Sequence, residues 1–392
     1  MMHATAWRIV GIADDPRVLG FQTSLPTPHT ASVVAYHDLA AWDTLSPNIA
    51  HYVRLESPAW CLHTVRRFMQ AGADVAAQMG LPAYSSTQIQ QAALEQGEFL
   101  APHQFYWGFA AQLQQLAVSF AQHPTIRCLN HIPDILRCYD KVACHAYLQQ
   151  AGIPVPRALA LPTQHNVCDY AELRTGMQAQ RLPRVFVKTR YGSGGSGIVA
   201  LATHPRGQVE AWTTLEYHPT DTTSGRLFNS RRVRRVRQEH EIAQLITQLG
   251  AWGVQVEQWI PKASVQQHSV DIRLLMIAGE PRFQVLRKSL SPITNLHLAN
   301  QRATVDELTA QLDPAVWQAV LQTGRRVAAL FPQSLHLGVD VAVDVSLQRH
   351  VVLEVNAFGD FLKGVTLAGL NPYQWQLQAF LHGFEHSAIP TT

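Results

Sequence analysis

Apolar positions along the chain change period from segment to segment. Trp7 to Gly11 and Ser32 to Tyr36 are short apolar runs of strand length, and Cys61 to Ala77 has helical spacing. Strands alternating with helices predict an α/β unit at the N-terminal end. From Trp107 to Ala121 apolar residues again recur at helical spacing, Pro124 closes that helix, and Ile126 to Leu129 reads as a strand. A first boundary near residue 125 follows. Asp140 to Leu148 reads as a helix that Ala151-Gly-Ile-Pro-Val-Pro156 terminates, which opens a new unit. Between Leu201 and Gly250 the chain turns polar, and a mobile, partly exposed region is expected there. Its basic run, Arg231 to Arg237, is expected on a solvated helix or loop face, ahead of a helix carrying Ile242, Leu245, Ile246 and Leu249.

Three hairpins carry candidate chemistry. Val185-Phe-Val-Lys188 and Ile198-Val-Ala-Leu201 read as strands joined through Gly192, Ser193, Gly194, Gly195, Ser196 and Gly197. The glycines satisfy G-x-G-x-x-G as text, but the dinucleotide fingerprint needs a helix next, and here a strand follows. H-R-D and D-F-G elements are missing, as is a Walker lysine. What remains is a hairpin whose bare backbone N–H groups can approach phosphate oxygens, with Lys188 beside it as a point charge; an ordinary glycine hairpin is the plain alternative.

The second hairpin joins Gly338–Asp344 to His350–Asn356. A turn centred on Leu347 places Asp340 opposite Glu354, with Asn356 two residues along the same face. Facing carboxylates repel unless a cation lies between them, and hard oxygen donors favour Mg2+ or Mn2+. Solvated residues on an edge hairpin are the competing reading, and Asp344 opposite His350 reads as a surface pair. In the third hairpin, a turn on Gly-Glu-Pro centred at Glu280 places Arg273 opposite Arg287, a pair that a bridging phosphate or carboxylate would reconcile.

Composition narrows the partners. The formal charge of +3, from 31 basic and 28 acidic residues, is far from that of a dedicated nucleic-acid binder and suits an anionic small molecule. Five cysteines without a C-x-x-C pair suggest neither a disulfide framework nor a zinc knuckle. The N-terminal residues lack a secretory pattern, and no apolar run reaches the length of a membrane span, so a cytoplasmic location and no membrane partner are expected.

The order of lysine, glycine hairpin, arginine hairpin and acidic hairpin resembles the ATP-grasp superfamily, especially its ribosomal-protein-modifying glutamate ligases, over roughly residues 125 to 385. The resemblance implies an α/β (α+β) ATP-grasp fold with ATP between antiparallel sheets. It implies a pre-ATP-grasp domain at 1–125, a central subdomain at 126–183, a lid at 184–258 and a metal-binding subdomain at 259–388. Lys141, after Asp140 and before Gly152-Ile-Pro-Val-Pro156, would contact phosphate, Lys188 would lie near adenine and the α-phosphate, and residues 192–197 would form the lid loop. Val256-Glu257-Gln258-Trp259-Ile260 is similar to the adenine-binding linker, with the backbone of Gln258 and Ile260 on the adenine edge and Glu257 and Lys262 in support. Val270-Asp-Ile-Arg273 is similar to the D-x-R strand, Arg287 and Asn295-Leu-His-Leu to the R…N-L-H segment, and Asp340, Glu354 and Asn356 to the magnesium ligands, with two ions implied. Leu298-Ala-Asn300 departs from the family's paired glycines, and Asn356-Ala-Phe-Gly-Asp360 from its N-x-x-P-G ending; both lie where a substrate would sit.

The expected activity is a carboxylate–amine, or carboxylate–thiol, ligase that forms an acyl phosphate, with Arg287, Arg273 and Lys141 acting on the phosphoryl group. Its substrates would be small-molecule or peptide carboxylates and amines. Rival readings are a kinase acting on a hydroxyl and a non-catalytic ATP- or RNA-binding component using Arg231 to Arg237. His63, Arg66 and Arg67 share a helix turn, with a solvent-facing role the plainer reading, and a homo-oligomer is left open.

Overall fold

A computed structural model describes residues 5–43, 45–58, 61–161, 163–192, 195–220, 225–295, 300–358 and 362–383. Its first sheet is parallel: β1 (Thr5–Val10), β2 (Ala31–Val34), β3 (Ala50–Leu55) and β5 (Ile126–Cys128) lie in the order β2-β1-β3-β5. Ile126–Cys128 thus completes the N-terminal sheet, and the expected boundary at 125 falls just before this strand. The Cys61–Ala77 helix divides at Gly72 into Leu62–Ala71 and Ala73–Gln78. The long helix begins earlier than its apolar period showed, at Pro102, and runs to Ala121. No helix among the described residues is long and apolar enough to cross a membrane.

The second sheet is antiparallel, in the order β10-β6-β7-β8-β9-β4. It comprises β4 (Glu98–Phe99), β6 (Arg184–Thr189), β7 (Ile198–Thr203), β8 (Val209–His218), β9 (Arg226–Val236) and β10 (Val254–Gln258). The polar stretch after Leu201 therefore holds two long strands, and Arg231–Val236 lies on β9 instead of a helix or loop. Polarity misleads here because only one face is apolar: Val185, Val187, Val199, Leu201 and Ala211 pack beneath Leu173, Met177, Leu245 and Leu249 of the helices Tyr170–Ala179 and Glu239–Gly250. The other face is left for a site.

The third sheet runs β14-β13-β12-β15-β16, with β11 (Ser264–Val265) on β12. Its strands are β12 (His268–Ile277), β13 (Glu280–Ser289), β14 (Gln301–Ala303), β15 (His336–Val343) and β16 (His350–Asn356). The helix Pro314–Ala329 covers one face through Val320 and Val327, which join Ile272, Leu274, Val339 and Val341 in the largest core cluster.

The N-terminal unit reaches the second sheet directly. Glu98 and Phe99 pair with Phe228 and Leu227 of β9, and Tyr106, on the long helix, stacks on Tyr191 with ring centroids 4.2 Å apart. That helix is seated through glycines: a Cβ on Gly108 would lie 1.9 Å from the Phe68 carbonyl oxygen, and one on Gly72 would lie 2.0 Å from that of Gln104. Gly108→Ala should therefore force the helices apart, costing about 1–3 kcal/mol, and urea denaturation should show a lower midpoint; an unchanged midpoint would mean that the close approach carries no stability.

Candidate functional site

The uncovered faces of the second and third sheets line a shared cleft. Phe186, Ile198, Ile293 and Leu353 form apolar walls, while Lys141, Lys188, Lys262, Arg287, Asp340 and Glu354 bring charge to its lining. Elements distant in sequence supply these groups. Lys141 opens the helix Lys141–Gln150, whose N-terminus is capped by the Asp140 carboxylate accepting from the backbone N–H groups of Val142 and Ala143. Asp140 also accepts from the Arg190 guanidinium at 2.7 and 3.0 Å, which ties this helix to the end of β6.

Strand register fixes the rest. On β12, Asp271 and Arg273 share a face, Asp271 lying opposite Arg287 and Arg273 opposite Asp340. Asp340 in turn lies opposite Glu354, and Asn356 opposite Gly338. Arg273 and Arg287 do not face each other, as the Gly-Glu-Pro reading required; Arg273 faces Val285 on β13. The turn is the two-residue Ala278–Gly279, both with positive φ, and a bulge at Leu275/Met276 recovers only one residue of the offset that this creates. The two guanidinium groups nevertheless converge, on Asp340 instead of on an open anion site. Arg287 donates to the Asp271 carboxylate at 2.6 Å and reaches Asp340 at 3.0 Å, and Arg273 donates to both Asp340 oxygens. In the last hairpin Val343 faces His350, so Asp344 pairs with Arg349, and His350 meets Thr323 at 2.8 Å.

These contacts set the electrostatics. Burial penalises the charged Asp340 carboxylate, but Arg273 and Arg287 outweigh that and hold its pKa below the ordinary value. Burial opposes the Arg287 charge, which Asp271 and Asp340 favour more strongly, raising its pKa. Lys188 forms an ion pair with Glu257; despite burial, Glu257, Glu354 and Asp340 raise its pKa. Lys262 differs: burial, with Arg287 and Lys188 nearby, lowers its pKa against the opposing pull of Asp271. Its ammonium donates to the Thr294 hydroxyl at 2.6 Å. Lys141 reaches Glu354 at 3.3 Å and donates to the Gly192 carbonyl.

Gly195 and Ser196 line the cleft, and Gly195 has φ +77°; a Cβ there would lie 2.6 Å from the Asn295 side chain, so the hairpin closes against that loop. Gly197 lies against Phe99. Ser193 and Gly194 fall outside the described residues, as do Leu296 to Ala299 and Gly359 to Phe361. Glu257, Gln258 and Ile260 line the cleft, and Trp259 packs beside it on Phe186, ring centroids 5.5 Å apart. The Gln258 N–H donates to the Arg157 carbonyl at 2.8 Å. The Asn356 side-chain nitrogen is buried without a partner among the described residues; a flip of the amide would place an oxygen at that point. Arg66 pairs with Glu95, while His63 and Arg67 are exposed.

Asp271 and Thr294 complete the charge network but carried no expected role. Asp271 lay within D-x-R, and its position two residues before Arg273 on a strand was the signal that both share a face.

In sequence, the chain matches the family model of YheC/D-like ATP-grasp proteins over residues 136–360. No curated protein matches it. In structure it is similar to the ATP-grasp ligase PsnB complexed with a phosphomimetic variant of a minimal precursor, Mg and ADP (TM-score 0.54, 15% identity, 97% of this chain and 99% of that one). It is similar to the D-cycloserine synthetase DcsG (TM-score 0.52, 14% identity, 97% and 100%) and to D-alanine–D-alanine ligase from Bacillus anthracis complexed with ATP (TM-score 0.52, 12% identity, 98% and 97%). With the family model spanning more than half of its length, the chain belongs to the YheC/D-like ATP-grasp family.

Proposed function

We propose that the protein is a carboxylate–amine ligase that binds MgATP in this cleft and activates a carboxylate as an acyl phosphate. The observation that carries the reading is the convergence of Lys141, Lys188, Arg287, Asp340 and Glu354 on one cleft from helix, lid strand and C-terminal sheet. Mg and ADP in the PsnB complex, and the similarity to D-alanine–D-alanine ligase, support it.

On this reading adenine lies between Phe186, Ile198, Ile293 and Leu353, its edge on the Gln258 carbonyl and Ile260 N–H, with Lys188, Glu257 and Lys262 fixing that end. Backbone N–H groups of the 192–197 hairpin and Lys141 face the phosphates. Asp340, Glu354 and Asn356 hold magnesium: two carboxylates on one rung and an amide on the same face suit a hard cation. Bound there, the ions would neutralise phosphate charge and align the γ-phosphoryl group. A substrate carboxylate oxygen attacks the γ-phosphorus and ADP departs. Arg287, with Arg273 behind Asp340, steadies the phosphoryl oxygens, and an amine then displaces phosphate from the acyl carbon. Substrates of small-molecule or peptide size fit the reading.

Glu354 and Asp340 should separate under mutation. Glu354→Gln removes a ligand whose one ion-pair partner among the described residues is Lys141, so ATP turnover should fall at least about a hundredfold with thermal melting unchanged. Asp340→Asn leaves two buried guanidinium groups without their shared carboxylate and should also destabilise the fold by about 3–5 kcal/mol, read by chemical denaturation. Full turnover in a folded Glu354→Gln protein would remove the metal assignment. Hydroxylamine added to turnover mixtures with carboxylate and amine panels should yield a hydroxamate; a phosphorylated alcohol in its place would mark a kinase.

A further inference from the structure

The cleft face of the second sheet continues past the nucleotide end. Beyond Phe186 it carries half-buried Trp259 and Trp212, in edge-to-face contact with centroids 5.5 Å apart. The exposed guanidinium of Arg235 lies 5.0 Å over Trp212, and that of Arg184 lies 5.9 Å over Trp259. Next to this platform β9 leaves its ladder. Its pairing with β8 passes from Asn229 opposite Leu215 to Arg234 opposite Thr213, so Ser230 to Val233 together face the single residue Thr214. This excursion pushes Arg231 and Arg232 outward, where both are exposed.

Charge is concentrated here. Arg234 pairs with Glu241 and Arg235 with Glu210, but Arg231, Arg232 and Arg237 have no ion-pair partner among the described residues. Charged residues and a bulge also blunt a sheet edge. One or two charges suffice for that; three further unpaired arginines within seven residues concentrate positive charge that an acidic partner would neutralise.

We propose that the β9 excursion and the tryptophan pair form a docking site for an acidic polypeptide segment. Spaced carboxylates would meet Arg231, Arg232 and Arg237, and an apolar side chain would lie along the Trp212 and Trp259 edges. A nucleic-acid strand fits less well. Glu210 and Glu241 sit among the arginines and would face a continuous phosphate backbone, and each indole already carries a guanidinium where a base would stack. The site lies outside the nucleotide cleft yet touches it: Val233, on the excursion, packs against the cluster that holds Phe186 and Ile293 of the cleft wall. Docking is therefore expected to change nucleotide affinity as well.

The test is fluorescence anisotropy of fluorescein-labelled decaglutamate with the full chain. Binding should weaken as salt rises and fall about tenfold or more, at least about 1.4 kcal/mol, in R231E/R232E and, to a smaller degree, in the gentler R231Q/R232Q. R206E/R282E changes net charge equally at other exposed arginines and should bind as the unmodified protein does. Melting temperatures identify any variant that has lost its fold, and the neutral pair keeps the question open to measurement if the charge-reversed pair fails. No binding by the unmodified chain, equal loss in R206E/R282E, or tighter binding of an oligo-uridylate of matching charge would overturn the proposal.

Discussion

Asp340 holds the third sheet's chemistry together, because two buried guanidinium groups share its carboxylate. Neither arginine could remain charged and buried alone, and Asp271 supplies the second acid that balances Arg287. Four charges are thus fixed on three adjacent strands by backbone register, with little freedom left in the side chains. Such a network is costly to desolvate and adds little net stability, but it fixes geometry. On the proposed reading that is its use: positive charge stands ready behind the point where a phosphoryl group would arrive, so little reorganisation is needed during reaction.

The opposite wall depends on a different constraint. The second sheet buries Val185, Val187, Val199 and Leu201 under two helices, which forces Phe186, Lys188, Ile198 and Ala200 onto the other face. Period-two alternation along β6 therefore delivers both the lysine and the apolar wall. The N-terminal unit braces this wall through Phe99 beside Gly197 and Tyr106 on Tyr191, so the glycine hairpin is held at both of its own ends.

Much of this was legible in the residues, and the failures have physical causes. The strand–glycine–strand unit was readable because Val185 to Lys188 and Ile198 to Leu201 are short apolar runs of strand length around residues that favour a turn. Asp340 opposite Glu354 was expected from a turn centred on Leu347, but Val343 faces His350, one residue off that centre, and a register shift at Asp340/Val341 restores the pair. The arginine hairpin was compensated only in part: Pro281 marked the turn late, Ala278–Gly279 makes it instead, and the bulge at Leu275/Met276 recovers one residue of the offset. Period alone does not fix where a turn is centred, which is why the Arg273 and Asp344 partners were misplaced. The polar stretch from Leu201 to Gly250 hid β8 and β9 for a related reason, since a strand with one solvent-facing side and five arginines carries little apolar signal.

The central claim is that lysines, arginines and acids from three separate parts of the chain form one cradle for a metal-loaded nucleotide. Isothermal titration of ADP into the protein, with Mg2+ and then with the metal chelated, tests it most directly. The expected result is one ADP per chain, bound at least about tenfold more tightly with Mg2+, a difference of about 1.4 kcal/mol. Absence of ADP binding, or an affinity indifferent to the metal, would contradict the account.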